Sequence, residues 1–137
     1  MKPSPQVRVI LAEDNPGDVY LIAEALRHEH LEVNLIVERD GEKMMDLITA
    51  IEAGREPCPD IILLDLNLPR YSGAAVLETL RNGHVCSRTP VVIVTSSDAP
   101  SDREIALRFK TEGYFRKSMK FDEFMRLGGL VRSLLGR

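Results

Sequence analysis

The sequence predicts an α/β fold: one doubly wound parallel sheet of five strands with helices on both faces. Three observations carry this. Short runs rich in Val, Ile and Leu recur along the chain, and stretches with apolar residues at helical spacing separate them. The run Ile61-Ile62-Leu63-Leu64 is apolar without a break, as in a strand buried on both faces. The length, 137 residues, suits a single domain that can bury such a sheet without staples.

Taken in order, Val7 to Ala12 is a first strand, followed by Glu13-Asp14-Asn15-Pro16-Gly17-Asp18. Pro16 suits the first turn of a helix, and Val19, Leu21, Ile22, Ala25 and Leu26 continue it to about His30. Val33, Leu35 and Val37 alternate with polar residues as a second strand, and Asp40-Gly41 reads as a turn. Met44, Met45, Leu47, Ile48 and Ile51 mark a helix that Gly54 and Pro57 end. The third strand ends at Asp65. A loop through Leu68-Pro69-Arg70-Tyr71-Ser72-Gly73 leads to a helix from Ala74 to Leu80, closed by Asn82-Gly83. Val91 to Val94 is a fourth strand ending at Thr95, and a helix over roughly Ser101 to Phe109 follows. Gly113-Tyr114-Phe115-Arg116 is a short fifth strand ending at Lys117. Phe121, Phe124, Met125, Leu127, Val131 and Leu134 mark the last helix, which Gly128 and Gly129 weaken by about 1 kcal/mol each relative to Ala. Alternating strands and helices with right-handed crossovers leave few orders, and the flavodoxin-like order 2-1-3-4-5 is the natural one for five strands.

Composition excludes several classes. The net charge of −3 and the scatter of Lys and Arg argue against a nucleic-acid or anionic-membrane footprint. Met1 to Gln6 has no apolar core and is no signal peptide, and no run approaches membrane-spanning length. Cys58 and Cys86 are far apart, without metal-type spacing, and read as free thiols in a reducing cytosol. His28 and His30 lie near a helix end, where contact with the helix C-terminus is the expected role. With His84 they form no ligand set.

A parallel sheet brings its strand ends to one edge, where ligands bind. That edge receives Glu13 and Asp14 from the first strand, Asp65 from the third, Thr95 from the fourth and Lys117 from the fifth. Each residue alone reads as a helix cap or turn residue. Together, two carboxylates about 5 Å apart repel by roughly 3 kcal/mol at an effective dielectric of 20, and a third adds to this. Protonation, Lys117 or a hard divalent cation must relieve the repulsion. Oxygen ligands of this kind suit Mg²⁺.

On these residues the sequence resembles a response-regulator receiver domain of two-component signalling, over the whole chain. The acidic pair Glu13-Asp14, Asp65, Thr95 and Lys117 match the family's motif, and Tyr114 matches its aromatic switch position. The wording Leu64-Asp65-Leu66-Asn67-Leu68-Pro69-Arg70 is similar to the small receivers that partner bacterial phytochromes. The resemblance implies that Asp65 accepts a phosphoryl group from a phosphohistidine of a sensor histidine kinase, a phytochrome in that branch. Asp14 and Asp65 would ligate Mg²⁺ directly, Glu13 mainly through bound water, and Asn67 through its main-chain carbonyl. Lys117 and Thr95 would hold phosphoryl oxygens, and Thr95 and Tyr114 would form a coupled switch. The domain would also slowly dephosphorylate itself.

The chain departs from the pattern at three places. Ser118 stands where receivers have proline after the lysine. There the bond is cis, and the need to aim Lys117 is expected to keep it cis here, although that costs about 3–4 kcal/mol before Ser. Lys110 stands where glycine is usual, and Lys120 is a poor cap for the last helix. No output domain is expected after Lys117, so the output would be a downstream protein, a phosphotransfer protein or a homodimer formed through Phe115, Phe121 and Leu134 or Leu135. Two rival readings are weaker. A haloacid-dehalogenase-type phosphatase would carry its nucleophile on the leading strand in Asp-x-Asp-x-Thr, whereas the sequence here is Asp65-Leu66-Asn67. An FMN carrier would hold phosphate where Glu13 and Asp14 would repel it.

Overall fold

A computed structural model describes residues 6–137. The reading of the first residues as no signal peptide concerns a stretch that lies largely outside these. Five strands and five helices alternate: β1 (Val7–Ala12), α1 (Pro16–His28), β2 (Val33–Glu38), α2 (Gly41–Glu52), β3 (Ile61–Leu64), α3 (Gly73–Asn82), β4 (Val91–Thr95), α4 (Pro100–Arg108), β5 (Gly113–Arg116) and α5 (Phe121–Leu135). All strand pairs are parallel, in the order β2-β1-β3-β4-β5.

The pleat splits the strand side chains between two cores. Ile10, Ile62, Leu64 and Ile93 pack with Met44, Ile48, Val76, Leu77 and Ala106 of α2, α3 and α4. Val9, Leu11, Ile61, Leu63 and Val92 pack with Ile22, Leu26, Phe124, Leu127 and Val131 of α1 and α5. β3 and β4 are buried along their whole length and β1 everywhere but at Arg8, which is why Val9–Ala12, Ile61–Leu64 and Val91–Val94 read as apolar runs.

Local chemistry explains the helix starts. Asn15, Asp40 and Ser72 each accept a bond from the amide three residues on, from Asp18, Lys43 and Ala75. Asp40-Gly41 is thus a cap and first helical residue rather than a free-standing turn. α1 stops at His28, and His30 takes φ +55°. Lys120 offers α5 no side-chain cap, as its chemistry requires. Ser118 Oγ compensates by accepting from Lys120 N at 3.0 Å and donating to Glu123 Oε2 at 2.7 Å. Of the apolar residues suggested for a dimer face, Phe115, Leu134 and Leu135 pack against the α1–α5 core. Phe121 remains 50% exposed.

The cysteines correct an expectation. Cys58 and Cys86 form a disulfide, with Cα atoms 5.9 Å apart, and are not free thiols. Cys58 precedes β3 and Cys86 precedes β4. These strands are neighbours, so the fold joins residues 28 apart in sequence. A loop of that length confers about 3–4 kcal/mol by chain-entropy arguments. Reduction is therefore expected to lower the melting temperature by roughly 10 °C. Calorimetry with and without reductant tests this, and an unchanged melting temperature would show that the thiols do not pair in solution.

Candidate functional site

The carboxyl edge of the sheet holds all the predicted groups. Glu13 follows β1 directly, Asp65 follows β3, Thr95 ends β4 and Lys117 follows β5. Carboxylate oxygens of Glu13, Asp14 and Asp65 lie within 4.8 Å of one another. Glu13 and Asp65 are buried, and Asp14 is exposed at the rim.

Asp65 is 6% exposed. Its Oδ1 accepts from the Asn67 amide at 3.0 Å and its Oδ2 from Lys117 Nζ at 3.2 Å. The turn after it is held closely by α3. Gly73 N donates to Leu66 O, and a Cβ at Gly73 would come within 2.5 Å of Asp65 O and Leu66 Cα, so only glycine fits. Gly41 N donates to Pro69 O and anchors the same loop to α2.

Lys117 is nearly enclosed. Its ammonium lies 2.5 Å from Glu13 Oε1, 2.8 Å from Asp18 Oδ2 and 3.2 Å from Asp65 Oδ2. Burial by itself would push its pKa down. The bond to Asp18 and the contact with Glu13, with the charge on Asp65, outweigh burial and hold the pKa above the ordinary lysine value. Glu13 moves the other way from most paired carboxyls. Burial raises its pKa above 4.5 even though Lys117 stands beside it. Its Oε1 makes an ion pair with Lys117 without hydrogen-bond geometry.

No peptide bond is cis among the described residues, so Lys117–Ser118 is trans. This overturns the expected cis bond. Lys117 reaches Asp65 without it, so nothing offsets the roughly 3–4 kcal/mol that cis would cost before a serine. At the glycine-like position Lys110 takes φ +53°, so the backbone there keeps the left-handed turn despite the side chain.

Thr95 is fully buried. Its Oγ1 accepts from Ser97 N at 3.2 Å, which leaves its hydroxyl hydrogen free to donate. The Tyr114 hydroxyl donates to Ser97 O at 2.8 Å, and Arg103 lies over its ring at 4.2 Å. Thr95 and Tyr114 therefore meet through one residue, Ser97, without touching.

Sequence reasoning missed two of these groups. Asp18 stands one helical turn after Asp14, on the first turn of α1. That spacing was the available signal. Nothing local marks Ser97, because its role comes from β5 lying beside β4.

The donor set fits a hard divalent cation: three carboxylates converge, all with oxygen atoms, and one is buried with an oxygen that no hydrogen bond satisfies. A cation and a proton would relieve the same repulsion. A carboxyl whose folded pKa lies above its unfolded one costs stability once ionised, and the cost is relieved as pH falls through the folded value. Mg²⁺ is therefore expected to raise the melting temperature at about pH 7. The increment should fade as the pH is lowered from there and Glu13, whose carboxyl burial holds above its ordinary range, protonates. Thermal melts across this range test it, and an increment independent of pH would show that Glu13 does not take part.

Comparison with known proteins agrees with this geometry. Residues 9–127 match the model of the response regulator receiver domain. The response regulator Rcp1 of Synechocystis sp. is 30% identical over 125 residues, covering 90% of this chain and 85% of that protein. Among solved structures, the phosphorylated cyanobacterial phytochrome response regulator RcpA is similar with TM-score 0.86 and 29% identity, covering 96% of this chain and 95% of that one. The Mn²⁺-bound form of Rcp1 has TM-score 0.82 and 30% identity, covering 94% and 93%. With a family model matching most of its length, the chain belongs to the response regulator receiver domain family.

Proposed function

We propose that this receiver takes a phosphoryl group on Asp65 from a phosphohistidine of a sensor histidine kinase inside the cell, and signals through a change of surface. The observation that carries this is the setting of Asp65: a buried carboxylate at the sheet edge with Lys117 at 3.2 Å and two more acids converging on it. An Asp65 carboxylate oxygen attacks phosphorus, the O–P bond forms, and the P–N bond breaks with its electron pair left on the imidazole. Little covalent help is needed, so the residues act by placement and charge. Lys117 donates to one phosphoryl oxygen and the Thr95 hydroxyl to another. Glu13, Asp14, Asp65 and the Asn67 carbonyl would hold Mg²⁺, which supplies neutralising charge to the phosphoryl oxygens. The acyl phosphate hydrolyses slowly, and no other turnover is assigned to the chain.

Output is read through Ser97. When the Thr95 hydroxyl moves to a phosphoryl oxygen, the Ser97 amide loses or shifts its acceptor, and Ser97 O carries the Tyr114 ring with it. This is a population shift, since the phosphoryl group favours only the state it contacts better. The kinase is a phytochrome in our reading, supported by the likeness to a phytochrome response regulator. The output is a downstream protein, a phosphotransfer protein or a homodimer. The phosphatase and flavin-carrier readings find no support in the family or the site.

The test is incubation with Mg²⁺ and a small phosphodonor, then with purified sensor kinases of the source organism. One base-labile phosphoryl group per chain is expected, with fastest labelling by a phytochrome kinase. No covalent phosphate under either condition would end the reading.

A further inference from the structure

We propose that Asp18 is the positioning residue that keeps Lys117 in place when the site is loaded with metal. The inference rests on the proposed function and deepens it. Lys117 has three carboxylate partners, Glu13, Asp18 and Asp65. Glu13 and Asp65 both belong to the group that converges on a cation site, together with Asp14. Asp18 does not.

The consequence follows from charge. A divalent cation held by this group would compete with the ammonium for the Glu13 and Asp65 carboxylates and repel it. The contact with Glu13 is an ion pair without hydrogen-bond direction, and the bond to Asp65 is the longest of the three. The bond to Asp18 is directed, 2.8 Å long, and comes from an element that contributes nothing else to the acidic group. Asp18 is held in turn. Its amide donates to the Asn15 side chain at 3.0 Å, which fixes the first turn of α1. Its side chain is 25% exposed and so is not buried in the core, which means that its replacement tests chemistry more than packing.

Lys117 anchored on Asp18 keeps one N–H on that carboxylate and turns the others toward the phosphoryl oxygens. Without Asp18 the ammonium is free to swing to solvent, and each phosphoryl group must order it anew.

Beryllofluoride with Mg²⁺ mimics the phosphoryl group and allows an equilibrium reading by calorimetry. Asp18→Ala is expected to weaken beryllofluoride binding at saturating Mg²⁺ by about tenfold, the worth of one charge-assisted hydrogen bond. Asp18→Asn, which keeps an acceptor, should recover part of that loss. Mg²⁺ affinity alone should change by less than about threefold, as expected for a screened charge outside the coordination shell. In a Lys117→Met background, Asp18→Ala should have no further effect, because its partner is gone.

Wild-type binding in Asp18→Ala would overturn the proposal. Tighter binding would overturn it too, because Asp18 would then draw Lys117 away from the phosphoryl group. A parallel loss of Mg²⁺ affinity would place Asp18 among the metal ligands, and an undiminished effect in the Lys117→Met background would show that it acts elsewhere. If the wild-type protein binds no beryllofluoride and takes no phosphoryl group, the proposed function itself fails and the inference falls with it.

Discussion

Asp65→Asn is expected to lose phosphoryl acceptance by at least about a thousandfold, the scale on which removal of a covalent nucleophile is felt. The substitution is nearly isosteric. The amide oxygen can still accept from Asn67 N or Lys117 Nζ, so the turn held by Gly73 keeps its shape. What disappears is the anionic oxygen that would attack phosphorus in the proposed transfer, and one of three charges that would draw a cation. Folding should survive, because the change also removes one source of repulsion among Glu13, Asp14 and Asp65. Mass spectrometry after incubation with a small phosphodonor and Mg²⁺ measures it directly. Labelling of the Asn variant at the wild-type rate would mean that another carboxylate is the acceptor.

Gly128→Val is expected to cost about 3 kcal/mol or more of folding stability. Propensity alone points the other way, since glycine inside a helix is about 1 kcal/mol worse than alanine. Packing decides the sign. A Cβ at Gly128 would overlap the carbonyl oxygen of Ala25 and come 2.9 Å from Glu29 Cγ, where α5 crosses α1. Backbone carbonyl cannot move aside as a flexible side chain can, so the helices must separate and open the core of Ile22, Leu26, Phe124 and Leu127. The neighbouring glycine supplies the control. At Gly129 an added Cβ would meet only Glu29 Oε1, at 3.4 Å. Gly129→Ala should therefore be neutral or stabilise by up to about 1 kcal/mol. Urea denaturation of both variants tests the pair. Equal midpoints would show that the two helices do not approach so closely.

These glycines also mark where sequence reading stops. As a helical pair they read as two equal weaknesses in α5. The fold makes one a requirement of close helix contact and leaves the other a weakness. The same holds for the cysteines. Nothing in the spacing of Cys58 and Cys86 predicts a bond, because their meeting depends on β3 lying next to β4. Ser118 misled in the opposite direction. The family's proline suggested a cis bond, but the aim of Lys117 depends on the whole β5–α5 connection and is reached with a trans bond.

By itself the sequence determined the element order, the parallel sheet and the edge on which Glu13, Asp14, Asp65, Thr95 and Lys117 gather. All of these follow from local periodicity and from the rule that parallel strands end on one side. Only the tertiary structure decided that Asp18 holds Lys117, that Ser97 joins Thr95 to Tyr114, that Cys58 pairs with Cys86 and that Gly128 admits no side chain. Each of these is a contact between elements whose distance depends on strand order and helix crossing. Periodicity reports which face a residue takes, and it is silent on which residue of another element stands opposite.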